Sequence, residues 1–425
     1  MNPFRLLLPA LLIPTLTFCA EAAADTSPTS VAELVRQSIQ SNPERLSYAA
    51  ALAATKEAGT SATSLNDPTL SLEVGRKRLR DAAGAFAGEG EVWVASLSQT
   101  FEWPERLRLR RALAGANTEI AELGLARFDQ ALETRATVLA YRLARVQLRA
   151  EVSAEVAERF AGLRKSLLGR DPSGAGPQVE MRSVEAAEIV ARRRAEEARL
   201  ALQQALLEIN LLRGAPMLSP LIVRPPAVTF KEAPRLETLM LSAAKGNFGY
   251  RMRLLEADQV SLQSDLLRSD TVPGFTAGPY ISQDRVAGRE TIIGLRFELP
   301  LPVTDRRSSA DRVATERRRQ AKAMLAAALR EMEREIAQTC LAYGSKTDQL
   351  RMHQDDPAQR FAEAARTAER HFRAGAINFQ LFMEAQSGYL DAVDAVLALQ
   401  EEAVEAGLRL RELSGVDFNP VTVSQ

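Results

Sequence analysis

Apolar residues follow two periods along this chain, and each period predicts a different element. Between Glu105 and Leu167 they recur every three or four residues, at Leu125, Phe128, Leu132, Ala136, Leu139, Leu143, Val146 and Ala150. That spacing lines one face of a helix and repeats in the manner of a coiled-coil seam. The stretch holds no Pro and only three glycines, Gly115, Gly124 and Gly162, so one unbroken helix of roughly 95 Å is predicted from its rise per residue. Val179–Arg213 predicts the antiparallel return. Arg306–Asp355, Pro357–Arg373 and Phe379–Leu413 predict a second long hairpin, its outgoing arm interrupted at Asp355-Asp356-Pro357. The turns between the arms fall at Gly174 and Gly375.

The second period is two. Thr69–Gly75 with Val92–Trp103, and Gly274–Gln283 with Thr291–Leu299, read as strand pairs. One face of these strands carries Trp93, Ala95, Leu97, Phe101 and Trp103, and again Ile293, Leu295, Phe297 and Leu299. The other face is mixed, with Val92, Val94, Ser96, Ser98, Thr100 and Glu102, then Ile292, Gly294, Arg296 and Glu298. An ordinary sheet with one core face fits this alternation. So does a membrane barrel strand, apolar outside and polar inside over about ten residues. Four strands cannot close a barrel, and lipid tolerates no open sheet edge. The barrel reading therefore requires other copies of the chain.

The chain is written twice. Gly174–Gly214 lies on Gly375–Gly415 without gaps, at an offset of 201 residues. Val92–Ala112 lies on Glu290–Ala310 at an offset of 198, and Ser41-Asn42-Pro43 stands beside Gly246-Asn247-Phe248 as a helix start. Each half runs helix, two strands, long helix, glycine turn, helix. A period near 200 residues is too long for a solenoid unit, so a duplicated half-molecule is expected. The expected divisions are a first repeat at 25–215, a Pro-rich linker at 216–234, a second repeat at 235–415 and a tail at 416–425.

Residues 1–24 read as a secretory signal, with Arg5, an apolar stretch from Leu6 to Phe18, and small residues Ala22–Ala24 before Asp25. Acylation at Cys19 is the alternative for this end, although bulky Phe18 precedes it. No other apolar run reaches the length of a membrane-spanning helix. Over the 425 residues, 54 Lys and Arg balance 54 Asp and Glu, which gives no broad field for nucleic acid. Two Cys and two His rule out a thiol–imidazole metal centre. No nucleotide-binding loop or nucleophile elbow is present, so no cofactor is expected and an enzyme is not. His353 and His371 read as solvated helix residues, and the arginine and glutamate runs as wet helix faces.

These features together resemble the TolC family of outer-membrane efflux proteins, also called outer membrane factors, over essentially the whole mature chain. Leu97-Ser98-Gln99-Thr100-Phe101-Glu102-Trp103-Pro104-Glu105-Arg106 resembles the strand-to-helix segment of the CzcC-like heavy-metal branch, with Glu105-Arg106-Leu107 where that branch carries Gly-Lys-Arg. Gly375, Asn378, Leu381 and Ala385 resemble the family's glycine turn; Gly174, Pro177, Glu180 and Val184 follow it less closely.

The resemblance implies a mainly α protein with a small transmembrane β part. Long coiled-coil hairpins would be joined to four strands per chain, pooled by a homotrimer into a twelve-stranded barrel. It implies residence in the outer membrane, with helices continuing into the periplasm as a hollow tube. A periplasmic adaptor of the membrane-fusion type would join the tube to an inner-membrane pump of the resistance-nodulation-division class. Gly174, Gly176, Pro177, Gly375, Asn378 and Leu381 are the expected adaptor-docking tips. Arg170, Asp171 and Arg373 are candidates for a gate or for ion selectivity. Trp93, Leu97, Phe101, Leu295 and Phe297 are expected to face lipid. Heavy-metal cations are the expected cargo, with drugs and other small molecules the alternative in the same family. A soluble periplasmic coiled-coil scaffold or adaptor subunit, and a secreted helical enzyme, are the readings from other classes.

Overall fold

The computed structural model describes residues 29–168, 175–223, 227–269, 274–286, 288–301, 306–352, 357–416 and 418–424. The expected signal segment, with Cys19, lies outside them. The first half runs α1 (Val31–Ser41), α2 (Pro43–Thr63), β1 (Thr69–Arg80), β2 (Phe86–Phe101), α3 (Pro104–Leu168) and α4 (Ala175–Leu212). A short strand β3 (Ala227–Phe230) precedes the second half. That half runs α5 (Leu236–Gly246), α6 (Phe248–Ser269), β4 (Phe275–Asp284), β5 (Glu290–Glu298), α7 (Arg306–Met352), α8 (Pro357–Arg373), α9 (Phe379–Ser414) and β6 (Val421–Ser424).

The period-3.6 stretch is a single helix of 65 residues, close to 97 Å at about 1.5 Å per residue. Its seam residues Leu132, Ala136, Leu139, Leu143 and Val146 are buried against Leu34 of α1, Ala205, Ile209 and Leu212 of α4, and Leu221 and Val223. Farther along, Val152, Val156, Phe160 and Leu163 join Val184 and Ala187 of α4 and Phe372, Phe382 and Tyr389 of the second hairpin. One helix thus supplies both cores and ties the two halves together. Each fully buried Leu or Phe contributes about 2 kcal/mol by removal from water. A third core gathers Leu239 and Ala243 of α5, Met332, Ile336 and Tyr343 of α7, and Leu410 and Leu413 of α9.

In each half an asparagine breaks the opening helix. The side chain of Asn42 caps α2 by accepting from the backbone N–H of Glu44 and Arg45, at 2.9 and 3.2 Å. Its amide also donates to the Leu212 carbonyl at the end of α4. Asn247 caps α6 through the Tyr250 N–H at 2.8 Å and donates to the Leu413 carbonyl at 2.8 Å. One side chain therefore satisfies orphan groups at a helix start and at a helix end together. Beside each site the return helix stops at a left-handed glycine, Gly214 at φ 66° and Gly415 at φ 61°. Gly415 and Gly246 approach so closely that a Cβ on either would meet the other's backbone within 2.8 Å. A side chain has no room there.

The Pro-rich stretch between the halves does more than connect them. Leu221 and Val223 are buried, and Thr29 bridges to Val223 with its N–H on the Ile222 carbonyl. Strand β3 pairs antiparallel with β6. Tyr343, fully buried on α7, donates its phenol to the Lys231 carbonyl at 2.6 Å and lies within 3.2 Å of the Pro420 carbonyl. Burial pushes that phenol up to about 12, so it remains a donor.

The four longer strands form one antiparallel sheet in the order β1-β2-β4-β5. Pro279 sits in β4 and has no N–H to give. The β2–β4 ladder is interrupted there, between the pairs Ser96–Tyr280 and Gln99–Ala277.

Asn247→Ala is expected to lower stability by about 1–3 kcal/mol, by losing a cap and leaving the buried Leu413 carbonyl without its donor. Thermal unfolding of the detergent-extracted protein measures it, and an unchanged midpoint would count against the double role of this side chain.

Candidate functional site

The strand registers place the apolar residues of all four strands on one face. Leu70, Leu72 and Val74 stand opposite Leu97, Ala95 and Trp93. Trp93, Ala95 and Phe101 stand opposite Gln283, Ile281 and Phe275. Ile281, Pro279 and Ala277 in turn meet Ile293, Leu295 and Phe297. This face is bare in the single chain: Leu70 and Val74 are 74% exposed, Ile293 77% and Phe297 72%. Leu97, Leu295 and Phe101 share it. From Trp93 to Phe101 the band runs roughly 26 Å along the strand, close to the height of an outer-membrane barrel's apolar belt.

Aromatic rings mark both ends of the band. Phe101 stacks on Phe275 at 5.3 Å, and Trp103 tilts against the same ring at 5.9 Å. At the other end Trp93 donates its indole N–H to Gln283 at 3.2 Å. The opposite face is mixed and carries the charged and hydroxyl side chains. Lys77 pairs with Asp284 at 2.6 Å, Thr100 meets Thr276 at 3.0 Å, and Arg296 lies over the ring of Tyr280 at 5.6 Å. Among the described residues no helix is long and apolar enough to cross a membrane. Among the described residues the sheet carries a pattern that fits a membrane-facing surface.

The sheet edges, β1 and β5, carry unpaired backbone. The helices are arranged in the same open way. Toward the sheet α2 packs on α3, α3 on α6 and α6 on α7; away from it α4 packs on α3, α3 on α9, and α9 on α7 and α8. Elements of the first half form one margin of every layer, and elements of the second half form the other. Large apolar side chains lie exposed on the marginal helices: Ile189, Leu200 and Leu211 on α4, and Leu341, Met352 and Phe361 on α7 and α8.

The second hairpin turns between α8 and α9. Gly375 takes a left-handed φ of 72°, its N–H bonds the Phe372 carbonyl, and the Ala376 N–H bonds that of His371. This pair of bonds ends a helix on glycine. Asn378 caps α9 by accepting from Leu381 N–H at 2.9 Å. Gly375, Asn378 and Leu381 are all exposed. At the first hairpin, Gly174, Arg170 and Asp171 lie outside the described residues, while Gly176 and Pro177 fall in the first turn of α4. Arg373 pairs with Glu369 of its own helix at 2.6 Å and lies against Gly162 of α3.

Behind the second tip is a polar clasp that the sequence pattern did not reveal. Arg159 of α3, 8% exposed, donates to Gln386 of α9 at 2.9 Å and to Glu155 at 2.6 Å, and pairs with Glu369 of α8 at 3.6 Å. Gln386 donates to the Ala365 carbonyl of α8 at 2.9 Å. An aromatic knot adjoins it: Phe382 stacks on Phe372 at 5.2 Å and takes Phe160 edge-on at 5.3 Å. The signal was there in faint form, since Arg159 and Gln386 interrupt otherwise apolar helical stripes.

Residues 251–416 match the family described as outer membrane efflux protein. Among solved structures, the chain resembles CusC, from crystal structures on its folding and transmembrane channel formation, with TM-score 0.71, 13% identity, and 96% of this chain and 98% of that one covered. It resembles the Campylobacter jejuni CmeC outer membrane channel at TM-score 0.71, 14% identity, and 91% and 85% coverage. The Vibrio cholerae outer membrane protein VceC gives 0.68, 16%, and 91% and 96%. No curated protein sequence matches. At these identities the structural likeness establishes the fold.

Arg159→Met is expected to cost about 2 kcal/mol, because it strands the buried Gln386 oxygen and removes the cation shared by Glu155 and Glu369. Hydrogen exchange should quicken first in α8, and adding Gln386→Leu should recover part of the loss. Equal exchange in the single variant and wild type would show that the clasp holds nothing.

Proposed function

Because residues 251–416 match the outer membrane efflux protein family and the fold is that of outer-membrane channels, we propose that the chain is the outer-membrane channel subunit of a tripartite efflux assembly. It resides in the outer membrane with its helices extending into the periplasm. It conducts cargo passively, so the work is done by shape and charge along a lumen. The observation that carries this reading is the outward apolar face, continuous across four strands whose two edges are unpaired.

An open sheet in lipid leaves backbone N–H and C=O groups without partners, at several kcal/mol each. Pairing β1 of one copy with β5 of the next removes both edges. The same head-to-tail contact brings the margin of α4 against that of α7 and α8, covering their exposed apolar side chains. Such an interface must close into a ring or run on as a filament. Three copies close twelve strands, the number the family uses, and the polar face then lines the pore. The matching element order of the two halves, with Asn42 and Asn247 in equivalent roles, supports descent from a duplicated half-molecule.

The helical tips far from the sheet dock a periplasmic adaptor, at Gly174, Gly176 and Pro177 on one hairpin and Gly375, Asn378 and Leu381 on the other. The exposed turn around Gly375 supports this, since small side chains let a partner reach the backbone. The adaptor joins the channel to an inner-membrane pump of the resistance-nodulation-division class. Heavy-metal cations are the proposed cargo, on the strength of the Gln99–Pro104 segment; small organic molecules are the second possibility. Arg170, Asp171 and Arg373 remain the candidates for a gate.

The test is the mass of detergent-extracted protein from the membrane fraction, by light scattering corrected for detergent. Wild type should give a mass near three chains, and Leu295→Asp with Phe297→Asp should abolish membrane insertion. A soluble monomer would overturn the channel reading in favour of a periplasmic scaffold.

A further inference from the structure

The first strand hairpin is longer than the second, and its extra length is charged. Along β1 the outward row of Leu70, Leu72 and Val74 continues, by strand alternation, through Arg76 and Arg78. Arg76 stands opposite Glu91, and the Arg285 backbone N–H bonds the Glu91 carbonyl from the other side. The Arg285 guanidinium lies on the outward face too, since it donates to the Gln283 oxygen that also accepts from Trp93, at 3.0 and 3.2 Å. Arginines thus occupy the outward face immediately beyond the ring of Trp93, where the apolar band stops.

Two acids, Glu89 and Glu91, stand on this row against the three arginines Arg76, Arg78 and Arg285, and do not neutralise it. Glu89 serves both Arg76 at 3.7 Å and Arg78 at 3.0 Å, and those two arginine side chains are still 75% and 74% exposed. The outward row of β5 begins at Thr291, so that edge brings no carboxylate to the row. Lys77, between Arg76 and Arg78, points to the opposite face and is held by Asp284. At this end of the sheet the cations are therefore sorted by face: Lys77 on the pore side has its own acid, and the arginines on the lipid side outnumber Glu89 and Glu91.

We propose that Arg76, Arg78 and Arg285 bind phosphate groups on the headgroups of outer-leaflet lipid, anchoring the channel at that interface. This rests on the barrel reading above, which puts the hairpin ends on the side away from the helices. A guanidinium fork matches phosphate oxygens two at a time and is weakly hydrated, which suits a partly dry interface. The strands put the forks at a fixed height, one register step above the aromatic boundary, as a headgroup requires.

The experiment reconstitutes full-length protein into phosphatidylcholine vesicles with and without a minor share of lipid A, and reads lipid A retained per protein by native mass spectrometry. Arg76→Gln, Arg78→Gln and Arg285→Gln together should reduce retention at least about fivefold, the loss expected for even one such charge at a membrane surface. Lys77→Gln should leave it unchanged. Excess inorganic phosphate should not displace the lipid, because lipid binding also uses the apolar band. Equal retention by the triple variant, equal loss with Lys77→Gln, or displacement by free phosphate would overturn the inference while leaving insertion intact. Wild type that fails to insert would overturn the barrel reading itself, and this inference with it.

Discussion

Backbone pairing is the constraint from which the rest follows. A β-strand exposes a row of donors and acceptors along each side, and the two outer strands of an open sheet each leave one row bare. Water would satisfy those rows, but the outward face of this sheet, from Leu70 to Phe297, repels water. Lipid would welcome that face but cannot satisfy the rows. In the proposed ring both demands are met together, because β1 and β5 find strands on neighbouring copies.

The helices are built to the same requirement. A 65-residue helix has no compact core to wrap around, so α3 buries its seam first against α1 and α4 and then against α8 and α9. What remains open is a margin on either side, carrying Ile189 and Leu211 on one and Leu341 and Met352 on the other. Sheet and helices end at corresponding margins, so in the proposed ring one rotation between copies satisfies both. Asn42 and Asn247 matter here because they set where the helix bundle hands over to the sheet-bearing arm. The clasp at Arg159 matters at the other end, where it fixes the second tip to the first half's long helix.

Much of this was legible in the sequence. The period-two and period-3.6 patterns located the four long strands and the long helices, because half-buried strands and seam-packed helices write their burial into side-chain spacing. The glycine turn at Gly375 was legible from its left-handed demand. Other features depend on contacts between distant residues and leave little local trace. The β3–β6 pair lies in stretches that looked like linker and tail; each strand is four residues long, too short for a period to show. The cross-chain roles of Arg159 and Gln386 needed three helices in place. Strand register, which puts Arg76 and Arg285 on the outward face, is likewise a matter of pairing and not of composition.

The central claim is that β1 of one copy pairs with β5 of the next. Within one chain these strands stand at opposite edges of the sheet, about 14 Å apart at the usual strand spacing, beyond the reach of a disulfide. Cysteine at Leu72, combined with a cysteine walked along β5 from Thr291 to Phe297 in a Cys340→Ser background, tests the contact by oxidation in native membranes. The account predicts a covalent ladder that ends at three chains for positions in register. Monomer at every position, or a ladder without an end, would contradict it.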